Sequence, residues 1–316
     1  MAKQSAKTPF VTVVVPLKDE EESLGELFST ISSTMAAMKK TFEVIFIDDG
    51  STDNSFRVLK ELHKQRKEVK VVRFRRNFGK SAALSEGFRI ARGEFVVTMD
   101  ADLQDDPAEI PGLIEAMGDS FDLVSGWKKT RHDPISKTIP SRLFNFVTGW
   151  MTGIPIHDFN CGLKAYRNEV VKQVKVYGEM HRYIPALAHW EGYRVTEKIV
   201  QHHPRKYGHT KFGISRFFRG FLDLLTVLFT TRYIRRPLHL FGVWGFFSIL
   251  LGTAIDGYLS FEWLMGRTSL SNRPLFIVGV LFIIVGIQFV SLGLLGEMIT
   301  RQDRSDQAYS VRDVLE

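Results

Sequence analysis

The sequence has a single cysteine, Cys161, among its 316 residues. One cysteine excludes an internal disulfide and a thiolate-rich zinc site, so most of the chain is predicted to face a reducing compartment. A lone cysteine is most often a small buried side chain, and we expect Cys161 to be one. Residues 1–9 are polar and basic and lack the apolar stretch of a signal peptide, which argues against cleaved export.

Sequence patterns typical of several common chemistries are missing as well. The histidines do not form a His-Glu-x-x-His motif or a similar ligand set, so we predict no zinc site. The spacing Gly-x-x-x-x-Gly-Lys-Ser/Thr does not occur, and ATP hydrolysis by a P-loop is therefore not indicated. The sequence contains no recognised nucleic-acid-binding motif, and a nucleic acid is not an expected partner.

Acidic residues are outnumbered by basic ones, since the formal net charge is +7 and the sequence pI is about 9.4. Without a nucleic-acid motif, this excess favours an anionic membrane surface or a phosphate-bearing substrate as the partner. The basic residues that stand out follow residue 127. They are Lys128, Lys129, Arg131, Arg142, Arg205, Lys206, Lys211, Arg216, Arg219, Arg232, Arg235 and Arg236.

Residues 10–125 alternate between β-branched or aromatic runs and segments with a helical period. This alternation is typical of βαβ units and predicts an α/β fold with a Rossmann-like, mostly parallel sheet. Between residues 126 and 212 the pattern is less regular, and we expect loops and acceptor-site structure there. Strands are predicted at 10–15, 43–47, 69–74, 94–99 and 121–125, and helices at 22–39, 55–66, 81–91 and 107–117.

Two later segments, residues 238–259 and 275–296, are nearly uncharged and each about 22 residues long, which is enough to span a bilayer. Buried core helices are rarely so uniform, so the pair predicts a two-helix transmembrane hairpin. Residues 213–231 are amphipathic, which fits an interfacial helix and equally fits a core-facing one. The predicted organisation is an α/β domain over 1–212, an amphipathic juxtamembrane segment over 213–237, the hairpin over 238–300 and a tail over 301–316.

Arginines that flank the predicted spans indicate how the chain is oriented. More of them lie on the side of the termini than in the link between the spans. The positive-inside rule therefore places both termini and the α/β domain in the cytoplasm, with two spans in a bacterial inner or plasma membrane. The arginines counted are Arg232, Arg235, Arg236, Arg301 and Arg304 on the first side, and Arg267 and Arg273 in the link.

The motif Asp100-Ala101-Asp102 directly follows the fourth predicted strand. Residues i and i+2 of an extended segment point to the same side, so both carboxylates can face one point where open α/β sheets keep their ligand crevices. Oxygen ligands suit Mg²⁺ or Mn²⁺, which take one or two carboxylates and leave other positions to substrate phosphates. The motif predicts a nucleotide diphosphate substrate, although short acidic motifs are also common in solvated turns.

Polar residues also follow the second predicted strand and open the third predicted helix. Asp48 and Asp49 follow that strand, where a carboxylate can accept hydrogen bonds from a base or a ribose. Helix capping alone explains the polar residues 51–53. Gly79 and Lys80 open the helix, where a glycine permits close backbone approach and a lysine can meet phosphate or base.

Together these motifs resemble those of family 2 glycosyltransferases, specifically the polyprenyl-phosphate glycosyltransferases that include bactoprenol glucosyltransferases and dolichol-phosphate mannose synthases. The resemblance covers nearly the whole chain, including the terminal hairpin. It implies an enzyme with a glycosyltransferase A-type fold. The residues that carry it are Val14-Val15-Pro16, Asp48-Asp49-Gly50-Ser51, Arg76-Asn77-Phe78-Gly79-Lys80, Asp100-Ala101-Asp102-Leu103-Gln104, and Asp158 with Cys161-Gly162-Leu163-Lys164.

The resemblance implies roles for individual positions. It places Mg²⁺ or Mn²⁺ on Asp102 together with Gln104, and it makes Asp102 and Asp158 the expected catalytic residues. Asp158 is a candidate for a general base or an orienting group, and a structural cap beside Cys161 is an equally open interpretation. The residues implied to contact the nucleotide are Pro16, Leu17, Glu20, Asp49, Lys80 and Asp100.

The expected reaction is a single displacement with inversion, in which an oxygen of a lipid phosphate attacks the anomeric carbon. The metal and nearby cations would stabilise the nucleoside diphosphate that leaves. A phosphate nucleophile is already ionised at pH 7, so it needs positioning and charge compensation more than a strong base. For the lipid phosphate we predict Arg131, Ser141 and Arg142, with Arg205 and Lys211 as second choices.

The leading hypothesis is transfer of glucose from UDP-glucose to undecaprenyl phosphate. Mannose transfer from GDP-mannose to dolichol phosphate, or transfer of a modified arabinose, is the alternative, because donor choice depends on pocket shape. Two spans and the lack of a Gln-x-x-Arg-Trp segment argue against a processive synthase. Non-enzyme alternatives are a catalytically silent nucleotide-binding membrane scaffold and a basic membrane-surface binding protein. Glycines in the spans allow close helix packing, and a homo-oligomer is predicted.

Overall fold

A computed structural model of the protein describes residues 8–129, 145–146, 148–149, 152–154, 156–178, 180–204, 237–267, 269 and 273–302. The chain divides into two compact units, Met1–Leu225 and Thr226–Glu316. The predicted amphipathic segment 213–231 lies outside the described residues. So do the five residues predicted to bind the lipid phosphate, which are Arg131, Ser141, Arg142, Arg205 and Lys211.

The first unit alternates strands and helices from residue 11 onward. Its strands are β1 Val11–Leu17, β2 Phe42–Asp48, β3 Val69–Arg73, β4 Phe95–Thr98, β5 Leu123–Trp127, β6 Lys164–Arg167 and β7 Val195–Ile199. Its helices are α1 Leu24–Met38, α2 Ser55–Gln65, α3 Lys80–Ile90, α4 Ile110–Met117, α5 Asn168–Gln173 and α6 Ile184–Trp190, with 3₁₀ turns at Pro107–Glu109 and Met180–Arg182.

The seven strands form one sheet in the order β3-β2-β1-β4-β6-β5-β7. β6 runs antiparallel to both of its neighbours, and all other neighbouring pairs are parallel. This mixed, mostly parallel sheet confirms the predicted fold class. The C-terminal ends of β1, β2, β4 and β5 meet at one edge of the sheet, and the polar motifs of the sequence follow these ends.

The core forms because the central strands are apolar on both faces. Every residue of β1 is buried, as expected for a parallel strand covered by helices on both sides. On one side α1 contributes Leu24, Leu27, Ile31 and Met35 at helical spacing. Burial at 3.6-residue spacing therefore fixes which face of α1 packs on the sheet.

Residues 126–212 are more regular than the sequence pattern indicated. The described part of this stretch contains β6, β7, α5 and α6 in addition to loops. The strand β6 has the sequence Lys-Ala-Tyr-Arg and is only four residues long, so neither its hydrophobicity nor its length marks it as a strand. Its pairing with β4 and β5 places its first residue at the edge where the site lies.

The second unit contains two long apolar helices, α7 Pro237–Leu264 and α8 Pro274–Gln302. Both are long and apolar enough to cross a membrane. Large apolar side chains lie on their outer surfaces, including Trp244, which is 65% exposed, and Leu264, which is 75% exposed. An apolar surface of this kind is suited to lipid and not to water. The two helices match the predicted hairpin.

Glycines allow α7 and α8 to pack closely against each other. A Cβ atom at Gly245 would lie 2.7 Å from the carbonyl oxygen of Gly286 and 2.8 Å from Cγ2 of Val290. Nearby, the hydroxyl of Ser248 donates a 2.7 Å hydrogen bond to the carbonyl oxygen of Phe282. Small residues and interhelical hydrogen bonds are the means by which membrane helices associate. These glycines therefore allow close packing of two helices within one chain. Self-association of the protein stays a prediction.

Replacing Gly245 by leucine is expected to separate the two helices, because the new side chain has no room against α8. We expect the hairpin to lose about 1–3 kcal/mol of stability, the usual cost of overpacking. The loss of helicity during titration with sodium dodecyl sulfate in mixed micelles measures it. Gly257→Leu is the matched control, since no atom lies within 4 Å of a Cβ at Gly257. Equal midpoints for the two variants would contradict this packing.

Candidate active site

A salt bridge between Lys80 and Asp100 lies at the C-terminal edge of the sheet. Lys80 is the first residue of α3, and Asp100 follows β4. Burial alone would raise the pKa of Asp100, but the ammonium groups of Lys80 and Lys128 outweigh it and lower that pKa to about 2. Asp100 is therefore ionised at every physiological pH. Its carboxylate holds Lys80 at the C-terminal edge of the sheet.

The chain turns sharply between Asp102 and Gln104. Leu103 has a φ of 60°, a left-handed conformation that non-glycine residues seldom adopt and that often marks functional sites. The turn lets the backbone N–H of Gln104 donate to Oδ1 of Asp102 at 3.3 Å. Asp102 is only 7% exposed. The two oxygen-bearing side chains predicted to meet a metal therefore belong to one tight, partly strained turn.

Asp105 supports this turn, although no local pattern in the sequence marks it as a site residue. Its side chain is 1% exposed, and its Oδ2 accepts a 3.2 Å hydrogen bond from the backbone N–H of Asp100. Its other oxygen, Oδ1, lies 2.7 Å from Nζ of Lys128. Burial would lower the pKa of Lys128, but the Asp105 carboxylate raises it. Asp105 thus holds the backbone of Asp100 in place. It also keeps Lys128 positively charged close to Asp100.

Asp49 organises the loop that precedes α3. Its Oδ1 accepts a 2.7 Å hydrogen bond from the N–H of Phe78, and its Oδ2 accepts a 2.9 Å hydrogen bond from the N–H of Gly79. Gly79 has a φ of 92°, which is accessible to glycine at little cost. Asp49 therefore determines where the next residue, Lys80, enters the site. It links the end of β2 to the Lys80–Asp100 pair.

The remaining residues predicted to contact the nucleotide lie at the end of β1 and in the loop after it. Pro16 and Leu17 are buried as the last two residues of β1. The N–H of Glu20 donates to Oγ of Ser55 at 2.9 Å, which ties this loop to the start of α2. Lys80 and Asp100 line one cavity together with Pro16. Leu17, Glu20 and Asp49 lie around the same sheet edge without lining that cavity.

Asp158 is a buried residue whose side chain stabilises a local turn. It is 1% exposed, its Oδ1 accepts a 3.1 Å hydrogen bond from the N–H of Asn160, and its carbonyl oxygen accepts one from Ser125 at 3.3 Å. The geometry around Oδ1 is that of a turn-stabilising aspartate.

Cys161 nearby is buried, and burial raises its thiol pKa to about 12. It is an inert thiol, as expected from the sequence.

A metal ion at this edge would have to bind without a dense cluster of side-chain ligands from the described residues. Within the described residues, no group of three or more His, Cys, Asp or Glu side chains is arranged to hold a metal ion. A Mg²⁺ or Mn²⁺ ion does not require such a group, because it commonly takes one or two carboxylates and completes its coordination with water and substrate phosphates. The carboxylate of Asp102 and the amide of Gln104 fit that kind of site.

Three further polar residues reach the cavity from distant parts of the sequence. Lys164 is the first residue of β6, and His181 and Arg182 belong to the 3₁₀ turn at Met180–Arg182. His181 Nδ1 lies 3.1 Å from Oγ of Ser81, a residue one hundred positions earlier. No local motif marks these residues. Only the resemblance had drawn attention to Lys164, as part of the Cys-Gly-Leu-Lys segment.

Comparison with protein families matches residues 12–175 to the model described as glycosyl transferase family 2. A dodecaprenyl-phosphate galacturonate synthase of Rhizobium johnstonii is 39% identical over 97% of this chain and 93% of its own. An undecaprenyl-phosphate 4-deoxy-4-formamido-L-arabinose transferase of Edwardsiella ictaluri is 36% identical over 92% of this chain and 89% of its own. The match therefore includes the C-terminal helices as well as the α/β domain.

Solved structures resemble the α/β domain in fold. Glucosyl-3-phosphoglycerate synthase of Mycobacterium tuberculosis, in complex with Mn²⁺, UDP and phosphoglyceric acid, matches with a TM-score of 0.54 at 17% identity. It covers 71% of this chain and 78% of its own. The same enzyme with Mn²⁺, UDP-glucose and glycerol 3-phosphate has a TM-score of 0.52 at 18% identity. The fold is thus the glycosyltransferase A-type that the sequence motifs implied, and the chain belongs to glycosyl transferase family 2.

Proposed function

We propose that the protein transfers one sugar from a nucleoside diphosphate donor to a polyprenyl phosphate at the cytoplasmic face of a membrane. The observation that carries the proposal is the Lys80–Asp100 pair beside the Asp102 turn, at the ligand-binding edge of a sheet whose chain ends in an apolar hairpin. Relatives named for transfer to dodecaprenyl and undecaprenyl phosphate match over more than nine-tenths of the chain, which supports the acceptor.

Asp102 and Gln104 are the residues that would hold Mg²⁺ or Mn²⁺. Their carboxylate and amide oxygens are ligands that these ions prefer, and the tight turn at Leu103 keeps them close together. A bound ion would supply positive charge for the diphosphate that leaves. Mn²⁺ with UDP in the mycobacterial enzyme of the same fold supports this assignment.

The other site residues would position the donor and balance its charge. Lys80, oriented by Asp49 and Asp100, is placed to meet the nucleotide phosphates. Asp158 is buried and engaged by the N–H of Asn160, which favours a structural or orienting role over that of a base. An ionised lipid phosphate requires little help from a base. Its predicted partners, headed by Arg131 and Arg142, remain part of the proposal.

The proposed organisation follows from the same features. Residues 1–212 would form the cytoplasmic catalytic domain, 213–237 an interfacial segment, 238–300 the membrane hairpin and 301–316 a cytoplasmic tail. The excess of arginines beside the termini, compared with the link between the spans, supports a cytoplasmic location for both ends. A two-span hairpin would keep the catalytic domain at the membrane surface, where the polyprenyl phosphate headgroup lies.

For the donor, we propose a UDP-sugar with a modified sugar in place of the glucose expected from the sequence. The two relatives are named for the transfer of galacturonate and of 4-deoxy-4-formamido-L-arabinose, and neither sugar is glucose. The modified arabinose that the sequence analysis kept as an alternative is therefore better supported than glucose. Mannose from a GDP donor has no support among these relatives.

The proposal is tested by incubating the purified protein with undecaprenyl phosphate and a panel of UDP- and GDP-sugars. We expect labelled lipid from a UDP-sugar in the presence of Mg²⁺ or Mn²⁺, and none with a chelator. The panel should include UDP-glucose, UDP-galacturonate, UDP-4-deoxy-4-formamido-L-arabinose and GDP-mannose. Nucleotide binding without lipid product from any donor would support a catalytically silent scaffold instead.

A further inference from the structure

A cavity opens beside the Lys80–Asp100 pair, between β4, β6 and the 3₁₀ turn at Met180–Arg182. The space inside it is about 20 Å³, room for a group about the size of one water molecule. Its lining includes Asp100 and Gly162 but neither Asp102 nor Gln104. The cavity is thus adjacent to the proposed metal position and distinct from it, and its size suits a small polar substituent of a ligand and not a whole sugar ring.

Lys164 brings a buried amine to this cavity. The residue is 3% exposed, and its Nζ donates hydrogen bonds to the carbonyl oxygens of Phe159, at 3.3 Å, and of Cys161. An ammonium has three donors, and no carboxylate forms a salt bridge with this one among the residues that the structure describes. Burial lowers the pKa of Lys164. A buried cation in this state is stabilised when an anion binds beside it.

Arg182 supplies a second cation at this cavity. It lines the cavity from the 3₁₀ turn and is partly exposed. Its side chain makes no hydrogen bond or ion pair with any residue in the described part of the chain. A guanidinium presents donors in a planar fork that matches a carboxylate. Such a group at the wall of a cavity is available to a ligand.

His181 adds no positive charge to the cavity. Burial lowers its pKa well below the usual value, and the cations of Lys80 and Arg182 lower it further. The neutral ring is held by Ser81, whose Oγ lies 3.1 Å from Nδ1 and accepts the backbone N–H of His181 at 3.0 Å. The lining therefore carries three cations, Lys80, Lys164 and Arg182, against the single carboxylate of Asp100.

We propose that this cavity receives the carboxylate of the donor's sugar and that Lys164 and Arg182 thereby select a hexuronate. Lys80 forms a salt bridge with Asp100, which is the one carboxylate in the lining. The lining supplies no further negative charge for Lys164 and Arg182, and a neutral sugar would not supply one either. A carboxylate placed between them would interact with both cations and match the planar fork of Arg182. This inference rests on the proposed sugar transfer and names its donor class.

The test compares UDP-galacturonate with UDP-galactose, two donors that differ only in a carboxylate or a hydroxymethyl group at one carbon. We expect the wild-type protein to prefer the uronate. Arg182→Gln is expected to lower kcat/KM for UDP-galacturonate by about 10- to 100-fold, the effect of losing a charge-assisted hydrogen bond. The ratio of kcat/KM for UDP-galacturonate to kcat/KM for UDP-galactose should therefore fall by about 10-fold or more, because galactose has no carboxylate for Arg182 to pair with.

Two further variants separate charge from packing. Arg182→Lys keeps the charge and should retain part of the preference for the uronate. Lys164→Met removes the buried amine. The thermal unfolding midpoint of this variant is measured first. If the variant does not fold, the Arg182 variants alone decide whether the inference holds. The affinity of UDP alone should be the same in wild-type protein and Arg182→Gln. A fall in that affinity would assign Arg182 to the diphosphate and overturn the inference.

The outcomes distinguish this inference from the function on which it rests. Wild-type protein that uses UDP-galactose or UDP-4-deoxy-4-formamido-L-arabinose as well as UDP-galacturonate would overturn the hexuronate assignment and leave sugar transfer standing. Wild-type protein that transfers no sugar from any donor to polyprenyl phosphate would overturn the proposed function itself. Selective loss of uronate transfer in Arg182→Gln supports both.

Discussion

Replacing Asp102 by asparagine is expected to lower kcat for sugar transfer by about 100- to 1,000-fold, the usual cost of removing a group that stabilises charge in the transition state. Asparagine has nearly the same shape, and its carbonyl oxygen can still accept the hydrogen bond that the N–H of Gln104 now donates to Asp102. The fold should therefore survive, and only the negative charge is lost. Nucleotide binding in the absence of metal should change little.

Asp106→Asn is the matched control for this substitution. Asp106 lies four residues further along the same loop, and its Oδ1 accepts a 2.9 Å hydrogen bond from the N–H of Ala108 at the start of a 3₁₀ turn. Asparagine serves as a helix cap nearly as well as aspartate. We expect near wild-type turnover from this variant. Equal losses in both variants, or full metal-dependent turnover in Asp102→Asn, would contradict the role proposed for Asp102.

Replacing Gly162 by alanine is expected to disturb the donor site without unfolding the protein. A Cβ atom there would lie 2.7 Å from Oδ2 and 3.0 Å from Oδ1 of Asp100. The carboxylate would have to move, and its pairing with Lys80 would weaken. Charge-assisted hydrogen bonds contribute about 1.5–3 kcal/mol, so we expect kcat/KM for the nucleotide sugar to fall by about 10- to 100-fold.

Steady-state kinetics at saturating polyprenyl phosphate would show the effect of Gly162→Ala as a rise in KM for the donor. The control is Gly25→Ala in α1, where a Cβ would meet no atom within 4 Å and where alanine is the better helix former. That variant should keep wild-type kinetics and gain slight stability. An unchanged donor KM in Gly162→Ala would mean that the Asp100 carboxylate does not contribute to donor binding.

Local sequence patterns were sufficient to predict the central part of the fold. β1 and β2 are mostly apolar runs, and polar residues stand at or directly after their C-terminal ends. Such runs indicate buried parallel strands. Asp100 and Asp102 come shortly after β4, so their location at the C-terminal edge of the sheet could be predicted from the position of that strand. The two apolar helices were predicted from length and composition. In each case the signal lies within about twenty residues, which is the range over which periodicity can be read.

The part of the site that local patterns did not predict depends on contacts between distant residues. Lys164 reaches the cavity because it pairs with Thr98 in the register of β6 against β4. Asp105 and Lys128 are 23 positions apart in the sequence and meet only when the loops after β4 and β5 fold together. The contact between Ser81 and His181 spans one hundred positions. No periodicity or spacing encodes such pairs, because strand register and loop packing determine them.

The most direct test of the proposed function is the mass and stoichiometry of the products made by the purified protein from undecaprenyl phosphate and a UDP-sugar. Mass spectrometry should show the lipid phosphate carrying one sugar, with one UDP released for each lipid formed and product formation by Asp102→Asn slowed by about 100-fold or more. Release of UMP with a lipid diphosphate, or a lipid carrying several sugars, would contradict a single displacement at the anomeric carbon. Absence of any lipid product would contradict sugar transfer to this acceptor altogether.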